Sequence, residues 1–226
     1  MNWEDEGYLL SKSKFRENAN IVNIFTSQYG KKSGIVYGGT SRKVRNFLQI
    51  ANKIFILYNS KDENRLGYFK TELIDPISPK FFSDKERTAG LLSATSLLNI
   101  LLPDSQPNMN IYNSFSKFLS NIDQENWIYI YIFWEFNLIK ELGYGLDLEK
   151  LDLANYDKKE IIDFKIDNLS YRLPVFLIKK TIPEIISKEI VVSSLSFTRN
   201  LLQNKFFMSN NLKFPNSRVF LENYFK

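Results

Sequence analysis

The sequence predicts an α+β protein in which a five-stranded OB-fold barrel is followed by a mainly α-helical domain with a small inserted hairpin. The first 75 residues alternate apolar and polar side chains with the two-residue period of strands. Pro76 and Pro79 end that alternation, and beyond them apolar residues recur at the spacing of helices. We therefore expect a nucleic-acid-binding barrel domain over residues 1–78 and a helical, protein-interacting domain over residues 79–226.

The barrel is predicted from five short segments that alternate in polarity and are separated by turn residues. These segments are Glu6–Lys12, Asn20–Ser27, Lys32–Gly38, Lys53–Asn59 and Tyr68–Ile74. Tyr29-Gly30 predicts a hairpin turn between the second and the third segment. Five short strands within so few residues favour an OB-fold, and an SH3-like barrel would have much the same pattern.

The helical domain is predicted to open at a capping box, in which Ser83 caps a helix and Glu86 lies three residues later. Apolar residues at helical spacing continue from there to Leu101, and Pro103 ends the helix. The other helices are predicted over Met109–Ile122, Gln124–Leu142, Pro183–Phe207 and Pro215–Phe225.

Two smaller features interrupt these helices. Gly143 follows the third helix and is expected to end it in the left-handed conformation, which glycine adopts without steric cost. Residues 148–173 form a polar insert, and within it Ile161–Ile166 and Leu169–Leu173 alternate as the strands of a short hairpin do.

Positive charge is concentrated near the N-terminus. Residues 18–61 include seven basic residues and no acidic one, and residues 1–80 have a net charge of +5, which equals that of the whole chain. Such a field attracts polyphosphate, and aromatic side chains interleaved with it can stack on bases. The pattern predicts a barrel that binds the phosphate backbone of nucleic acid and does not distinguish base sequences.

The candidate contacts are the cations and tyrosines of this stretch. The cluster Arg42-Lys43-x-Arg45 is expected in a loop between barrel strands. Tyr29, Tyr37 and Tyr58 are preferred as stacking residues because a phenol tolerates water, whereas Phe25, Phe47 and Phe55 are expected in the core. Alternatively, these cations form a solvated surface that binds no ligand. The predicted DNA-binding residues are Lys31, Lys32, Tyr37, Arg42, Lys43, Arg45, Lys53 and Tyr58.

The composition argues against several other classes of protein. The chain has no cysteine and no histidine, so disulfides, the usual zinc ligands and the usual agents of acid-base and nucleophilic catalysis are missing. The N-terminus is acidic rather than apolar, and the most apolar run, Trp127–Ile139, is too short to span a bilayer. We expect a cytoplasmic, nucleoid-associated protein that is not an enzyme and needs no cofactor.

Several segments resemble one known family in their order along the chain. They are Trp3–Leu10, Tyr29–Lys32 with Gly34–Gly39, Leu48-Gln49, Trp134–Phe136 with Glu141–Leu148, and Thr198–Phe206 with Pro215. The family is the bacterial recombination mediator RecO. In the order given, the five segments are similar to its first strand, its barrel hairpin, its next strand, its most recognisable helix end and its C-terminal helices.

The resemblance implies an OB-fold that binds single- and double-stranded DNA, followed by a helical domain. It implies annealing of complementary strands and, with the partner RecR, assistance in loading recombinase onto strands coated by single-stranded DNA-binding protein. It also implies binding of the acidic, apolar C-terminal tail of that coating protein. Trp127, Trp134 and Phe136 are expected mainly in the core, and part of their surface, with Lys140 or Arg199 nearby, is a candidate groove for the tail.

The chain departs from the family pattern at two places. Many relatives bind zinc through four cysteines in the insert after the position of Leu148, and this chain has none, so we expect ordinary packing to hold the insert. The Pro-Gly of the family is Ile50-Ala51 here, which leaves the geometry of that turn open. Two other functions fit the sequence, an RNA-binding barrel of the translation machinery and a protein adaptor that binds no DNA.

Overall fold

The computed structural model describes residues 2–38, 41–62, 65–146, 159–166, 169–183 and 185–226, with the backbone alone for Lys43 and Ile166. The chain divides into two compact units, Met1–Asn113 and Ser114–Lys226. The first unit thus extends beyond the barrel and includes the helix that follows it. The functional division after residue 78 stays a prediction.

The first unit is built on a closed barrel of five strands. They are β1 (Asn2–Phe15), β2 (Ala19–Thr26), β3 (Gly30–Tyr37), β4 (Lys53–Asn59) and β5 (Gly67–Asp75). Their order around the barrel is β1-β2-β3-β5-β4, in which β1 is antiparallel to both β2 and β4, and β3 is parallel to β5. The predicted five-stranded OB-fold barrel is confirmed.

The barrel interior follows from the alternation of each strand. In β4, Ile54, Ile56 and Tyr58 point inward and are buried, while Phe55 lies on the outer face and is half-buried. The expectation that Phe55 belongs to the core is therefore wrong, because its neighbours on both sides occupy the inward register. The rest of the buried core cluster consists of Leu9, Val22, Ile24, Val36, Leu48 and Phe69.

Two glycines make room for large rings in this interior. A Cβ on Gly67 would collide with the ring of Tyr58, and one on Gly34 would collide with the ring of Phe69. Tyr58 is only 4% exposed, so the expectation that its phenol faces water is wrong. Its ring stacks instead on Trp3, with the two centroids 4.8 Å apart.

The three basic residues predicted in a loop lie on a short helix, α1 (Arg42–Phe47). Ser41 caps this helix, and its Oγ accepts a hydrogen bond from the Val44 amide. Val44 and Phe47, one turn apart, pack partly buried against the barrel core. The loop prediction was wrong because this cap and this apolar pair together favour a helical turn.

Beyond β5, a 3₁₀ turn over Ser78–Phe81 leads to α2 (Lys85–Leu101). Asp84, and not Ser83, caps α2, because its Oδ1 accepts a hydrogen bond of 2.9 Å from the Arg87 amide. The predicted capping box is therefore wrong, although the predicted helix and its end at Leu101 are confirmed.

Helices cover the outer face of part of this barrel. Phe25 points outward from β2 and is fully buried, as expected for a core residue, with its ring 5.5 Å from that of Tyr112. Tyr8, on the neighbouring strand, also packs against Tyr112 at 5.4 Å. Tyr112 belongs to α3 (Met109–Ser120).

The second unit consists of helices and one hairpin. After α3 it contains α4 (Trp127–Ile139), β6 (Ile161–Ile166), β7 (Leu169–Pro174), α5 (Val175–Lys179), α6 (Lys188–Leu202) and α7 (Asn216–Phe225). The predicted hairpin is confirmed, while α5 is too short to show a helical period in sequence. Residues 148–158, 167 and 168 of the predicted insert lie outside the described residues.

Helix α4 ends three residues before its predicted end. A π-helical turn over Lys140–Tyr144 follows it, and Gly143 within that turn has a φ of 91°. The predicted left-handed glycine is confirmed. Trp127 and Trp134 are each 3% exposed, which confirms their expected position in the core.

Candidate nucleic-acid interface

Two arginines are exposed on α1 at one end of the barrel. Because Val44 and Phe47 pack toward the core, Arg42 and Arg45 point to solvent. Neither guanidinium forms an ion pair with any residue in the described part of the chain. Lys43 lies between them, and its side chain is outside the described residues. Helix α1 therefore presents two positive charges that no described acid compensates.

The β1–β2 hairpin adds cations at the same end of the barrel. The amide of Gly38, at the end of β3, donates a hydrogen bond of 2.8 Å to the carbonyl of Asn18 in the hairpin turn. Lys14 and Arg16 on this hairpin are exposed, and the Arg16 guanidinium lies 5.2 Å from the centre of the Phe15 ring. The hairpin turn and the segment leading to α1 are thus tied together.

Lys12 on β1 links this hairpin to α1. Its ammonium donates a hydrogen bond of 2.7 Å to the carbonyl of Leu48, the residue that follows α1. Burial lowers the pKa of this ammonium, and the positive charge of Arg45 lowers it further. Two like charges are therefore held close together, an arrangement that a bound anion would stabilise.

We call these five cations the basic end of the barrel: Lys12, Lys14, Arg16, Arg42 and Arg45. Glu17, in the hairpin turn, is an exposed acidic neighbour in sequence. Three members, on β1 and its turn, were missed from sequence because they precede the acid-free stretch. The one signal for them was their place at or just beyond the end of the first predicted strand, Glu6–Lys12.

Two predicted DNA-binding lysines have acidic partners from outside the acid-free stretch. Lys31 is 9% exposed, and its ammonium lies 3.1 Å from Oδ1 of Asp104 and 2.8 Å from the carbonyl of Asn99. The ammonium of Lys53 lies 2.6 Å from Oε2 of Glu6, and this hydrogen bond raises its pKa despite partial burial. The expectation of uncompensated charge is wrong at both lysines.

Lys32 is held by neutral groups. Its ammonium donates a hydrogen bond of 2.7 Å to Oγ of Ser105 and lies 5.8 Å from the centre of the Tyr58 ring. Neither contact neutralises the charge. Lys32 therefore keeps the positive character predicted for it.

The three tyrosines predicted to face water have different environments. Tyr37 is 61% exposed, and its ring centroid lies 6.3 Å from that of Tyr68 on β5. Tyr29 is half-buried and stacks on Trp3 at 3.9 Å. With Tyr58 inside the barrel, Tyr37 is the one of the three that presents most of its surface to solvent.

The second unit contains a cavity of about 230 Å³ with apolar walls and two lysines. Phe133, Trp134 and Ile182 contribute to the walls, and Lys117 and Lys180 also line it. The indole N–H of Trp134 is buried, and no hydrogen-bond acceptor for it lies among the described residues. Apolar walls with two ammonium groups suit a peptide that is both apolar and acidic.

The cations expected near such a groove were Lys140 and Arg199. Lys140 is exposed on the turn after α4. Arg199 is partly compensated, since its Nη1 lies 3.4 Å from Oε2 of Glu222. Neither residue lines the cavity, so the sequence did not locate its lysines.

The residues present do not form a metal site in the part of the chain that the structure describes. A structural zinc site of the kind that the resemblance implies for many relatives needs thiolate or imidazole ligands, which this chain lacks. No group of three or more acidic side chains that could hold a metal ion lies among the described residues. Likewise, none of the described helices has the length and apolar character needed to cross a membrane.

Comparison with known proteins gives one consistent result. Residues 1–77 match the family model described as Recombination protein O N terminal, and residues 83–151 match Recombination protein O C terminal. A curated DNA repair protein RecO from Ruegeria sp. (strain TM1040) is 34% identical over 149 residues, which is 66% of this chain and 62% of the relative. One from Ehrlichia chaffeensis is 32% identical over 157 residues, which is 69% of this chain and 64% of the relative.

The aligned part of the chain therefore spans somewhat less than two thirds of these relatives. A third relative, DNA repair protein RecO from Roseobacter denitrificans, is 33% identical over 150 residues, or 66% of this chain and 62% of its own length. Among solved structures, an Entamoeba histolytica asparaginyl-tRNA synthetase gives a TM-score of 0.29 at 10% identity, covering 95% of this chain and 59% of its own. That similarity is too weak to bear on the fold.

Proposed function

Because this chain belongs to the RecO family, we propose that it is a DNA-binding mediator of recombinational DNA repair. The observation that carries the proposal is the basic end, where Arg42 and Arg45 are exposed without a described acidic partner and Lys12 lies close by. Phosphate oxygens are the groups that clustered guanidinium and ammonium ions bind best. Lys31 and Lys53 are left out of the proposed interface because Asp104 and Glu6 already compensate them.

The proposed activity is the annealing of complementary strands, which needs no covalent chemistry. Two single strands repel each other through their phosphates, and each phosphate that a cation neutralises also releases a condensed counterion. A basic surface that contacts both strands lowers this repulsion while the bases find their partners. The protein would therefore act by holding DNA, and we propose no enzymatic activity for it.

Two protein partners belong to the proposal. With RecR, the protein would assist the loading of recombinase onto single strands coated by single-stranded DNA-binding protein, in the cytoplasm and at the nucleoid. The C-terminal tail of the coating protein is acidic and apolar, and the cavity with Lys117 and Lys180 has the complementary chemistry.

Strand annealing tests the central part of the proposal. Two complementary labelled oligonucleotides are mixed at low salt with and without the protein, and the rate of duplex formation is followed by fluorescence quenching. We expect a faster rate that falls steeply as salt is raised, because the contacts are with phosphates. A protein that does not accelerate annealing at low salt would contradict the proposal.

The same oligonucleotides separate the other functional classes. An adaptor that binds no DNA would retain no strand in filter binding at low salt. A barrel of the translation machinery would bind RNA more tightly than DNA of the same sequence, because it recognises the 2′-hydroxyl. Degradation of the strands on addition of Mg²⁺ would indicate a nuclease.

Fluorescence anisotropy with a labelled tail peptide tests the cavity in the second unit. Lys117→Glu places a like charge against an acidic peptide and is expected to weaken binding at least about tenfold. Lys165→Glu, at an exposed position on β6, is the matched control and should bind as the unmodified protein does. If both variants lost the same affinity for the tail peptide, the cavity would not be its binding site.

A further inference from the structure

Two exposed tyrosines lie side by side where β3 and β5 meet. The parallel pairing of these strands runs through Gly34 with Gly67 and Ile35 with Tyr68. Tyr37 is two residues beyond Ile35 and so shares its outward face, which brings it next to Tyr68. The ring centroids are 6.3 Å apart, and the ring planes are inclined by 58°.

The exposure of this pair sets it apart from other aromatic residues on the outside of the barrel. Phe25 and Tyr8 also point outward, and both are buried against Tyr112. Tyr37 and Tyr68, by contrast, are 61% and 41% exposed. Burial of the outward rings elsewhere on the barrel stabilises the fold, whereas these two rings stay in water and lack that stabilisation. A ligand with flat, apolar faces would recover it.

Exposed cations lie within a few residues of the pair along the chain. Lys70 is exposed two residues beyond Tyr68 on the same face of β5, and Arg65 is exposed just before that strand begins. Arg42 follows Tyr37 at the start of α1 and is exposed as well. Glu72, two residues beyond Lys70, is the acidic residue at the far side of this face. Rings edged by positive charge favour a ligand that has both flat faces and a phosphate backbone.

From this geometry we infer that Tyr37 and Tyr68 form a stacking platform for two bases of single-stranded DNA and give the barrel a preference for single strands over duplex. The inference rests on the proposed function. Because the two rings are inclined to each other, one flat base does not fill the space between them, and each ring offers its own face to a separate base. Bases within a duplex are already stacked on one another, whereas the phosphates of both forms are equally accessible to arginine.

The test compares affinities for a labelled single strand and for a hairpin duplex of the same length, at one salt concentration. Tyr37→Leu and Tyr68→Leu remove the aromatic face but keep a comparable apolar volume, so the barrel is expected to fold. We expect each to lower single-strand affinity about tenfold. Duplex affinity should stay within about twofold of the unmodified value, because its contacts are with phosphate. Tyr37→Phe and Tyr68→Phe, the matched controls, should retain single-strand affinity.

Two results would overturn the inference. Equal losses for single strand and duplex in the leucine variants would show that the tyrosines support the interface without stacking on bases. Unchanged single-strand affinity would show that they do not contact the strand. In either case binding that still depends on Arg42 would leave the proposed function standing, whereas an unmodified protein that binds neither DNA would overturn both.

Discussion

Two arginines of the first unit and one arginine of the second unit lie in opposite environments. In the first unit, Arg42 and Arg45 are exposed on a six-residue helix and have no described acidic partner. In the second unit, Arg218 is completely buried and bonded to Glu135, which is buried as well. A count of charges along the chain therefore does not show which cations can bind a ligand. Their partners in the folded protein decide it.

The buried pair joins three helices of the second unit. Nε of Arg218, on α7, lies 2.6 Å from Oε1 of Glu135 on α4, and Nη2 lies 3.0 Å from Oε2. Nη2 also donates a hydrogen bond of 2.7 Å to the carbonyl of Leu195 on α6. Burial disfavours the guanidinium charge, but Glu135 outweighs this effect and raises the pKa of Arg218. Arg218 therefore keeps its positive charge inside the unit.

Arg218→Ala should have the largest effect on stability. It leaves the carboxylate of Glu135 buried without its partner, which typically costs about 3–5 kcal/mol. Chemical denaturation followed by tryptophan fluorescence measures the loss, since Trp127 and Trp134 lie in this unit. DNA binding by the first unit, measured where the variant is still folded, should not change.

A double substitution shows whether the lone charge is the cause. Glu135→Leu with Arg218→Met replaces both ions by apolar groups, and it should be more stable than Arg218→Ala. If the double variant is less stable than Arg218→Ala, the attraction between Glu135 and Arg218 stabilises the fold. The unpaired charge left in Arg218→Ala would then not explain the loss of stability.

Acid should weaken the second unit through Glu222 on α7. Burial opposes its ionisation, but a hydrogen bond from Lys226 and the charges of Arg218 and Arg199 outweigh burial and lower its pKa below the ordinary value of 4.5. Because the pKa is lower in the folded state, the stabilisation is complete above about pH 4.5 and is lost as pH falls toward the folded value. Glu222→Gln should remove up to about 1 kcal/mol at pH 7.

Thermal unfolding measured between pH 7 and pH 3 checks this dependence. The unfolding temperature of the unmodified protein should fall more steeply with acid than that of Glu222→Gln. Parallel curves for the two proteins would mean that Glu222 does not contribute to the acid sensitivity.

A smaller effect is expected at Ala51 in the first unit, where the resemblance to RecO implies glycine. Ala51 has a φ of 67°, and its amide donates a hydrogen bond of 2.8 Å to the carbonyl of Leu9. The turn thus keeps a left-handed conformation that disfavours a Cβ. Ala51→Gly should relieve about 1–2 kcal/mol of strain, but loss of the fully buried methyl group and the greater flexibility of glycine in the unfolded chain offset most of it. The net stabilisation should therefore be at most about 0.5 kcal/mol.

The matched control is Ala94→Gly, in the middle of α2, where the backbone is helical. It should destabilise the protein by about 1 kcal/mol or more, because glycine weakens a helix interior and the methyl group is buried. Denaturation midpoints that move in the same direction for both variants would contradict the strain assigned to Ala51.

The barrel could be predicted from sequence because alternation with a period of two is a strong local signal. Strand β4 was predicted with its observed ends, Lys53 and Asn59. Alternation did not show which face of each strand lies inside the barrel. Tyr58 points inward because Gly67, on another strand, leaves space for its ring. Such pairings between strands are invisible along one segment of sequence.

The candidate interface was predictable only in part, for the same reason. The exposed arginines of α1 were found because they cluster in sequence. Lys31 and Lys53 were wrongly expected to be uncompensated, because Asp104 and Glu6 reach them from outside the acid-free stretch. Lys12 was missed because only the folded barrel brings it to Leu48 and Arg45.

The most direct test of the contrast between the two units is the salt dependence of DNA binding. Fluorescence anisotropy with a labelled single strand gives the affinity at several salt concentrations for the unmodified protein, for Arg42→Ala with Arg45→Ala, and for Lys165→Ala with Lys188→Ala. The control lysines are exposed in the second unit. We predict that the arginine pair lowers the slope of log affinity against log salt by about two, one for each lost phosphate contact, and that the lysine pair leaves it unchanged. A slope that is flat in the unmodified protein, or that falls equally in both variants, would contradict the assignment of DNA binding to the basic end.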